Sequence, residues 1–152
     1  MTAPDLNDLI RSLRVELAIL NDRIALQAGL KPRDLDLLDV IDRDGPCTPK
    51  HLSHRAGLGA ATLTGMLARL EAKGWINRLR DPHDGRSTQL SSTPRIQELR
   101  SAYSTATESA HLIAASFDAA QRGAIADFLT QIRDAARTAS TSLNLPPQNR
   151  RP

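Results

Sequence analysis

Cys47, His51 and His54 stand at i, i+4 and i+7, a spacing that would align a thiol and two imidazoles on one helical face. These are zinc-ligand types, but a structural zinc takes four ligands and nothing nearby supplies the fourth. Cys47 also falls just before the helix that Thr48-Pro49 opens, so His51 and His54 read as surface residues adding positive charge, and no metal site is expected. As the single cysteine, Cys47 excludes an internal disulfide framework and fits a reducing, cytoplasmic setting. An oxidant-sensing thiol needs a lowered pKa, whereas a lone cysteine is more simply a small buried hydrophobe. The sequence holds no nucleophile elbow, phosphate loop, dinucleotide fingerprint or Cys-x-x-Cys pair. It does not read as an enzyme, and no cofactor is expected.

A different chemistry is written between Ala60 and Lys73. Leu63, Met66, Leu67 and Leu70 form one apolar stripe of a helix. The opposite face carries Ala60, Ala61, Thr62, Thr64, Gly65, Ala68 and Arg69, where an ordinary solvated face would carry Glu and Lys. Small residues let a helix sink into a DNA major groove about 12 Å wide, and Thr offers a hydroxyl to bases or phosphates and a methyl to thymine. Gly65 costs about 1 kcal/mol against Ala inside a helix, which close backbone approach to a ligand would explain. Charge agrees with this reading. Residues 1–47 hold six Lys/Arg against nine Asp/Glu, residues 48–90 seven against three, and residues 91–152 seven against five. Positive charge therefore concentrates in the middle, where a polyanion would dock. Lys50, Arg69 and Arg78 are the candidates to hold phosphates.

The elements that must position this helix follow from the same rules. Leu6, Leu9, Ile10, Leu13, Leu17, Leu20 and Ile24 mark a long first helix ending near Gly29, with Ile19 and Leu26 widening its apolar surface beyond one face. A second helix starts at Lys31-Pro32 and stops at Asp44-Gly45-Pro46. A short third helix runs from Thr48-Pro49 to the turn Ala56-Gly57-Leu58-Gly59, and Gly74 stops the fourth. Trp75 to Arg80 and Ser87 to Leu90 read as two strands around an Asp84-Gly85 hairpin turn, and Trp75 is expected to pack behind that hairpin. Pro94 starts a helix carrying Ile96, Leu99, Tyr103, Ala106, Ala110, Ile113 and Phe117. Asp118 and Gln121 resemble a capping box before a last helix that buries Ile125, Phe128, Leu129 and Ile132. Polar residues and prolines dominate from Ser140, so residues 143–152 are expected to be a disordered tail. No apolar run is long enough to span a membrane, and Met1 to Asp8 do not begin a signal peptide.

Short helix, glycine-containing turn, second helix and hairpin together make a winged helix-turn-helix. The expected fold is mainly α with a small β-hairpin wing, as one domain over residues 1–142. Residues 30–93 would be the DNA-binding part, and about 5–29 and 94–140 the dimerisation helices. Three stretches carry a closer resemblance: Leu30 to Leu38, Ala61 to Ile76, and Arg80-Asp81-Pro82-His83-Asp84-Gly85-Arg86-Ser87. In combination they resemble the MarR family, the multiple-antibiotic-resistance type of regulator. The resemblance implies an obligate homodimer with intertwined first and last helices, and a recognition helix in the major groove of double-stranded DNA. It also implies a wing arginine in the minor groove and release of DNA by a small aromatic or carboxylate-bearing ligand. On this sequence the recognition surface would be Ala61, Thr62, Thr64 and Gly65, with Asp84 and Arg86 at the wing tip. Gly85 stands where the family commonly has Arg, Ser92 where it is usually hydrophobic, Ile96 where Gly is common, and Lys31 where Thr or Ser is frequent. A winged helix that only contacts other proteins is the rival reading, but it would not need the basic middle segment. An RNA-binding role lacks the exposed aromatic stacking set it would use.

Overall fold

The computed structural model describes residues 5–80 and 87–143. Its elements are α1 (Leu6–Gln27), α2 (Pro32–Asp44), α3 (Pro49–Ala56), α4 (Ala60–Ala72), β1 (Ile76–Arg80), β2 (Thr88–Ser92), α5 (Ile96–Ala102), α6 (Ser104–Ala115) and α7 (Ala119–Leu143). Local chemistry sets most of these boundaries. The Asp5 carboxylate accepts the Asn7 N–H at 2.9 Å and caps α1, and the Thr48 hydroxyl accepts the His51 N–H at 3.1 Å and caps α3. Pro32 and Pro49 each occupy the first helical position, where a missing N–H costs nothing. Gly57 takes φ 63°, a left-handed conformation that ends α3 and lets the chain turn at once into α4. Before α7 the capping box is present: Asp118 Oδ1 accepts the Gln121 N–H and Gln121 Oε1 accepts the Asp118 N–H, both at 2.9 Å.

The core lies in the middle of the chain, where α2, α3, α4 and the hairpin close on the end of α1. Trp75, Leu35, Leu38, Ile41, Leu52, Leu67, Leu70, Ile76 and Leu90 are fully buried, each contributing about 1.5–3 kcal/mol of apolar burial. Trp75 is fully buried, and the Arg95 guanidinium lies 4.2 Å from its ring centroid in a cation–π contact. The strands pair antiparallel from Ile76 opposite Ser92 to Arg80 opposite Thr88. Cys47, between α2 and α3, forms a β-bridge with Leu90, so the hairpin gains a third backbone partner and the thiol is buried. Burial raises its pKa, and the nearby Asp44 charge adds to the effect.

Two boundaries differ from the sequence reading. The helix expected from Pro94 through Phe117 begins at Ile96 and is interrupted at Tyr103, giving α5 and α6. Tyr103 sits at φ −85°, ψ −6°, and its hydroxyl donates to Asn21 Oδ1 of α1 at 2.6 Å, which ties the junction of α5 and α6 to the first helix. At the other end α7 runs through Leu143, so the first residue assigned to the tail is helical. Thr138, Thr141 and Ser142 donate their hydroxyls to the carbonyls of Asp134, Arg137 and Thr138, each at 3.0 Å, so these polar side chains bond along the helix rather than breaking it. Residues 144–152, the rest of that expected tail, lie outside the described residues. Among those described, no helix is long and apolar enough to cross a membrane.

The outward side of α2 carries a run of aspartates in contrasting settings. Asp42 joins three elements: Oδ1 accepts the Ser92 hydroxyl of β2 at 2.7 Å and Oδ2 accepts Arg100 of α5 at 2.9 Å. The hydroxyl at position 92 thus has a partner that a hydrophobic residue could not serve. The Ser92 bond, then Arg100, holds Asp42 below the ordinary aspartate range against the opposing effect of burial. Asp36 and Asp39 are instead pushed up, chiefly by burial, with Asp22 adding to the shift at Asp36 and Asp36 and Asp42 to that at Asp39. Because the folded chain holds these two protons more tightly than the unfolded chain, stability falls as pH rises through and above the ordinary value of 3.8. Asp39→Asn should therefore raise the thermal unfolding midpoint at pH 7, and the gain should shrink as pH drops below 3.8. Calorimetry showing no gain at pH 7 would contradict this account.

Candidate nucleic-acid interface

The α3–turn–α4 pair is held from inside. Leu52 of α3 and Leu63, Met66, Leu67 and Leu70 of α4 are buried, and the Ser53 hydroxyl donates to the Leu58 carbonyl at 2.6 Å across the turn. This anchoring leaves Ala60, Ala61, Thr62, Thr64 and Ala68 exposed, with Gly65 half-buried beside them. The Thr64 hydroxyl donates to the Ala60 carbonyl at 2.8 Å, so its proton is used within α4. Ala61, Thr62 and Thr64 therefore share an exposed surface, as their spacing implied, with half-buried Gly65 beside them.

Lys50, Ser53, Thr64 and Arg78 line a groove of about 330 Å³ where α3, α4 and β1 meet. Lys50 is exposed near the start of α3, on the same side as the open face of α4. Arg78 projects from β1, and its Nε donates to Glu71 Oε2 of α4 at 2.7 Å. Two of the three expected phosphate-holding residues thus border one groove.

Arg69 is placed differently. Its Nε donates to Asp34 Oδ2 at 3.0 Å and its Nη2 to Asp34 Oδ1 at 2.8 Å. Asp34, on α2, is only 3% exposed. The hydrogen bonds to Asp34, reinforced by its charge, raise the Arg69 pKa further. Asp34, Glu71 and Lys73, which donates to the Gly29 carbonyl, were missed by sequence reasoning as parts of this site. One signal was available for Asp34: it lies three and four residues before the apolar Leu37 and Leu38, on the inner face of α2, where a charge must find a partner. Asp84 and Arg86 fall in residues 81–86, outside the described residues.

The would-be metal set does not come together. Cys47 faces Leu90 in the β-bridge and His51 Nε2 lies 2.7 Å from Asp44 Oδ2. No group of three His, Cys, Asp or Glu side chains among the described residues is arranged to hold a metal ion.

Fold and site together define a winged helix-turn-helix protein carried on long terminal helices. Residues 30–88 match the model of the MarR family. Over that segment the chain is similar to the MarR family. It is 33% identical over 78 residues to the uncharacterized HTH-type transcriptional regulator YcgE of Bacillus subtilis, a match covering 51% of each chain. The chain thus spans about half the length of that relative. Over a longer span it resembles the transcriptional regulator Tm0710 of Thermotoga maritima, with 26% identity, a TM-score of 0.62, and coverage of 88% of this chain and 96% of that one. It shares the fold of a point mutant of MepR from S. aureus, solved bound to an oligodeoxyribonucleotide. That likeness has 18% identity, a TM-score of 0.57 and coverage of 88% and 99%.

Proposed function

We propose that this protein is a sequence-specific double-stranded DNA-binding regulator of transcription, a ligand-responsive repressor acting as a homodimer on an inverted-repeat operator. The observation that carries the reading is the exposed small-residue face of α4, flanked by Lys50 and Arg78 in the most basic segment of the chain. α4 enters the major groove with Ala61, Thr62, Thr64 and Gly65 against the bases, while Lys50 and Arg78 meet phosphates and Arg86 reaches the minor groove. The oligonucleotide bound by the MepR mutant supports the same use of this fold. The dimer rests on α6 and α7, which bury no residue of their own.

A groove of about 420 Å³ lined by Arg100, Tyr103, Ser104, Thr107 and Glu108 supports the ligand-responsive part, since a cation and a phenol suit a small aromatic carboxylate. Displacement of bound duplex by aromatic carboxylates tests that part by itself.

Selection of bound sequences from a random duplex pool tests the central reading. A two-fold dimer should enrich an inverted repeat with half-site centres about one helical turn, 10–10.5 bp, apart. Log affinity should fall linearly and steeply with log salt as Lys/Arg–phosphate contacts release counterions. Enrichment of no repeat, or an affinity that ignores salt, would sink the proposal.

A further inference from the structure

Each charged side chain on α4 and at its C-cap is held by a partner within the protein. Arg69 is bound by Asp34 of α2, Glu71 by Arg78 of β1, and Lys73 by the Gly29 carbonyl. The Arg69 pair differs from the other two in its depth. The carboxylate is 3% exposed, and both its oxygens accept from the guanidinium in a fork-to-fork arrangement. A carboxylate at that depth is strongly unfavourable once its partner leaves, so the pair does not open to let Arg69 search for a base. Position 69 nevertheless lies one turn beyond Gly65 on the groove-facing side of the helix. The guanidinium passes beside that glycine, where an added Cβ would stand 3.7 Å from Nη1.

An arginine free on such a face makes the commonest specific contact in the major groove, a bidentate bond to guanine O6 and N7. We propose that Asp34 is a specificity-determining residue: by engaging the Nε and Nη2 donors of Arg69 it denies this helix the bidentate guanine contact. The inference rests on the DNA-binding reading and adds the class of sequence that α4 reads. Base discrimination by α4 then falls to the methyls and hydroxyls of Ala61, Thr62, Thr64 and Ala68. Asp34 touches no DNA and acts only through Arg69.

The test selects bound sequences from a random duplex pool with three full-length proteins: wild type, Asp34→Asn and Asp34→Asn/Arg69→Met. Circular dichroism reports folding for each. Asp34→Asn should gain a guanine preference at one position per half-site, on the order of tenfold, because the guanidinium is released. The double variant should lose that preference and return to the wild-type sequence set. A sequence shift of this kind is something a merely structural ion pair would not produce. Folded Asp34→Asn that selects the wild-type set overturns the proposal, as does a wild-type guanine preference that the double variant erases. Should Asp34→Asn fail to fold, wild type and the double variant decide between them. An identical sequence set and salt slope support the proposal; a slope shallower by about one marks Arg69 as a phosphate contact and overturns it. Wild type that enriches no sequence removes the DNA-binding reading itself and this inference with it, whereas the other failures leave DNA binding standing.

Discussion

Leu9→Glu/Leu13→Glu/Leu17→Glu is expected to convert a dimer of twice 16.6 kDa into a monomer, measured by light scattering at micromolar concentration. The three leucines are 51%, 53% and 50% exposed in the single chain, too much apolar surface along one helix to leave in water. The far end of the protein has the same need. Leu112, Ile113, Ile125, Leu129 and Ile132 are all more than a third exposed, and neither α6 nor α7 buries a residue. Isolated helices are marginal in water, so packing against a second copy is what would hold these. Two-fold symmetry counts each substitution twice. Covering the exposed half of six leucines gives on the order of 5–10 kcal/mol, enough to decide association. The substituted positions lie along α1 away from Ile24 and Ala25, which are buried in the winged core, so that core should keep its helical signal. Removal of residues 1–28 also takes Ile24 and Ala25, and that shorter chain should aggregate or unfold. A well-behaved wild-type monomer at the same concentration would refute the dimer.

How much of this was legible in the sequence depended on the range of the interaction. The apolar stripe of α4 is a local pattern with a 3.6-residue period, and the structure buries Leu63, Met66, Leu67 and Leu70 as that pattern required. Caps are equally local, and Thr48 and the Asp118–Gln121 pair were readable from spacing alone. The strands were harder to place. Only Ile76 of β1 and Leu90 of β2 are buried, so the turn rather than any alternation marked the hairpin, and the second strand runs two residues further than expected. Pairs distant in sequence left little trace. Arg69 and Asp34 are 35 residues apart, Tyr103 and Asn21 are 82, and composition cannot say that one carboxylate will be buried under a particular guanidinium. The phosphate role first read for Arg69 followed from its place on the helix, and only the fold shows its guanidinium held by Asp34.

The wing offers a charge test whose sign separates two mechanisms. Arg86→Ala is expected to weaken binding to every duplex by tenfold or more, with a further loss where the operator flanks are A·T-rich. A planar, permanently charged guanidinium suits the strong negative potential of a narrow A·T minor groove, and Gly85 leaves Arg86 as the only arginine between Asp84 and Ser87. Losing one cation should also make the salt slope shallower by about one. Asp84 stands two residues before Arg86 in the sequence, and the role assigned to it is to hold the guanidinium ready, so that less side-chain freedom is lost on binding. Asp84→Ala should then reproduce part of the Arg86→Ala loss, although it removes a negative charge from the proposed DNA-binding wing. Coulomb attraction by itself predicts the opposite, a gain in affinity from the same substitution. If both residues merely form a solvated turn, neither change should matter much, because Asp and Gly favour turns for local reasons. Affinities of both variants on duplexes that differ only in their flanks distinguish these outcomes. Tighter binding by Asp84→Ala would leave simple charge as the explanation, and wild-type binding by Arg86→Ala would take the wing out of the interface.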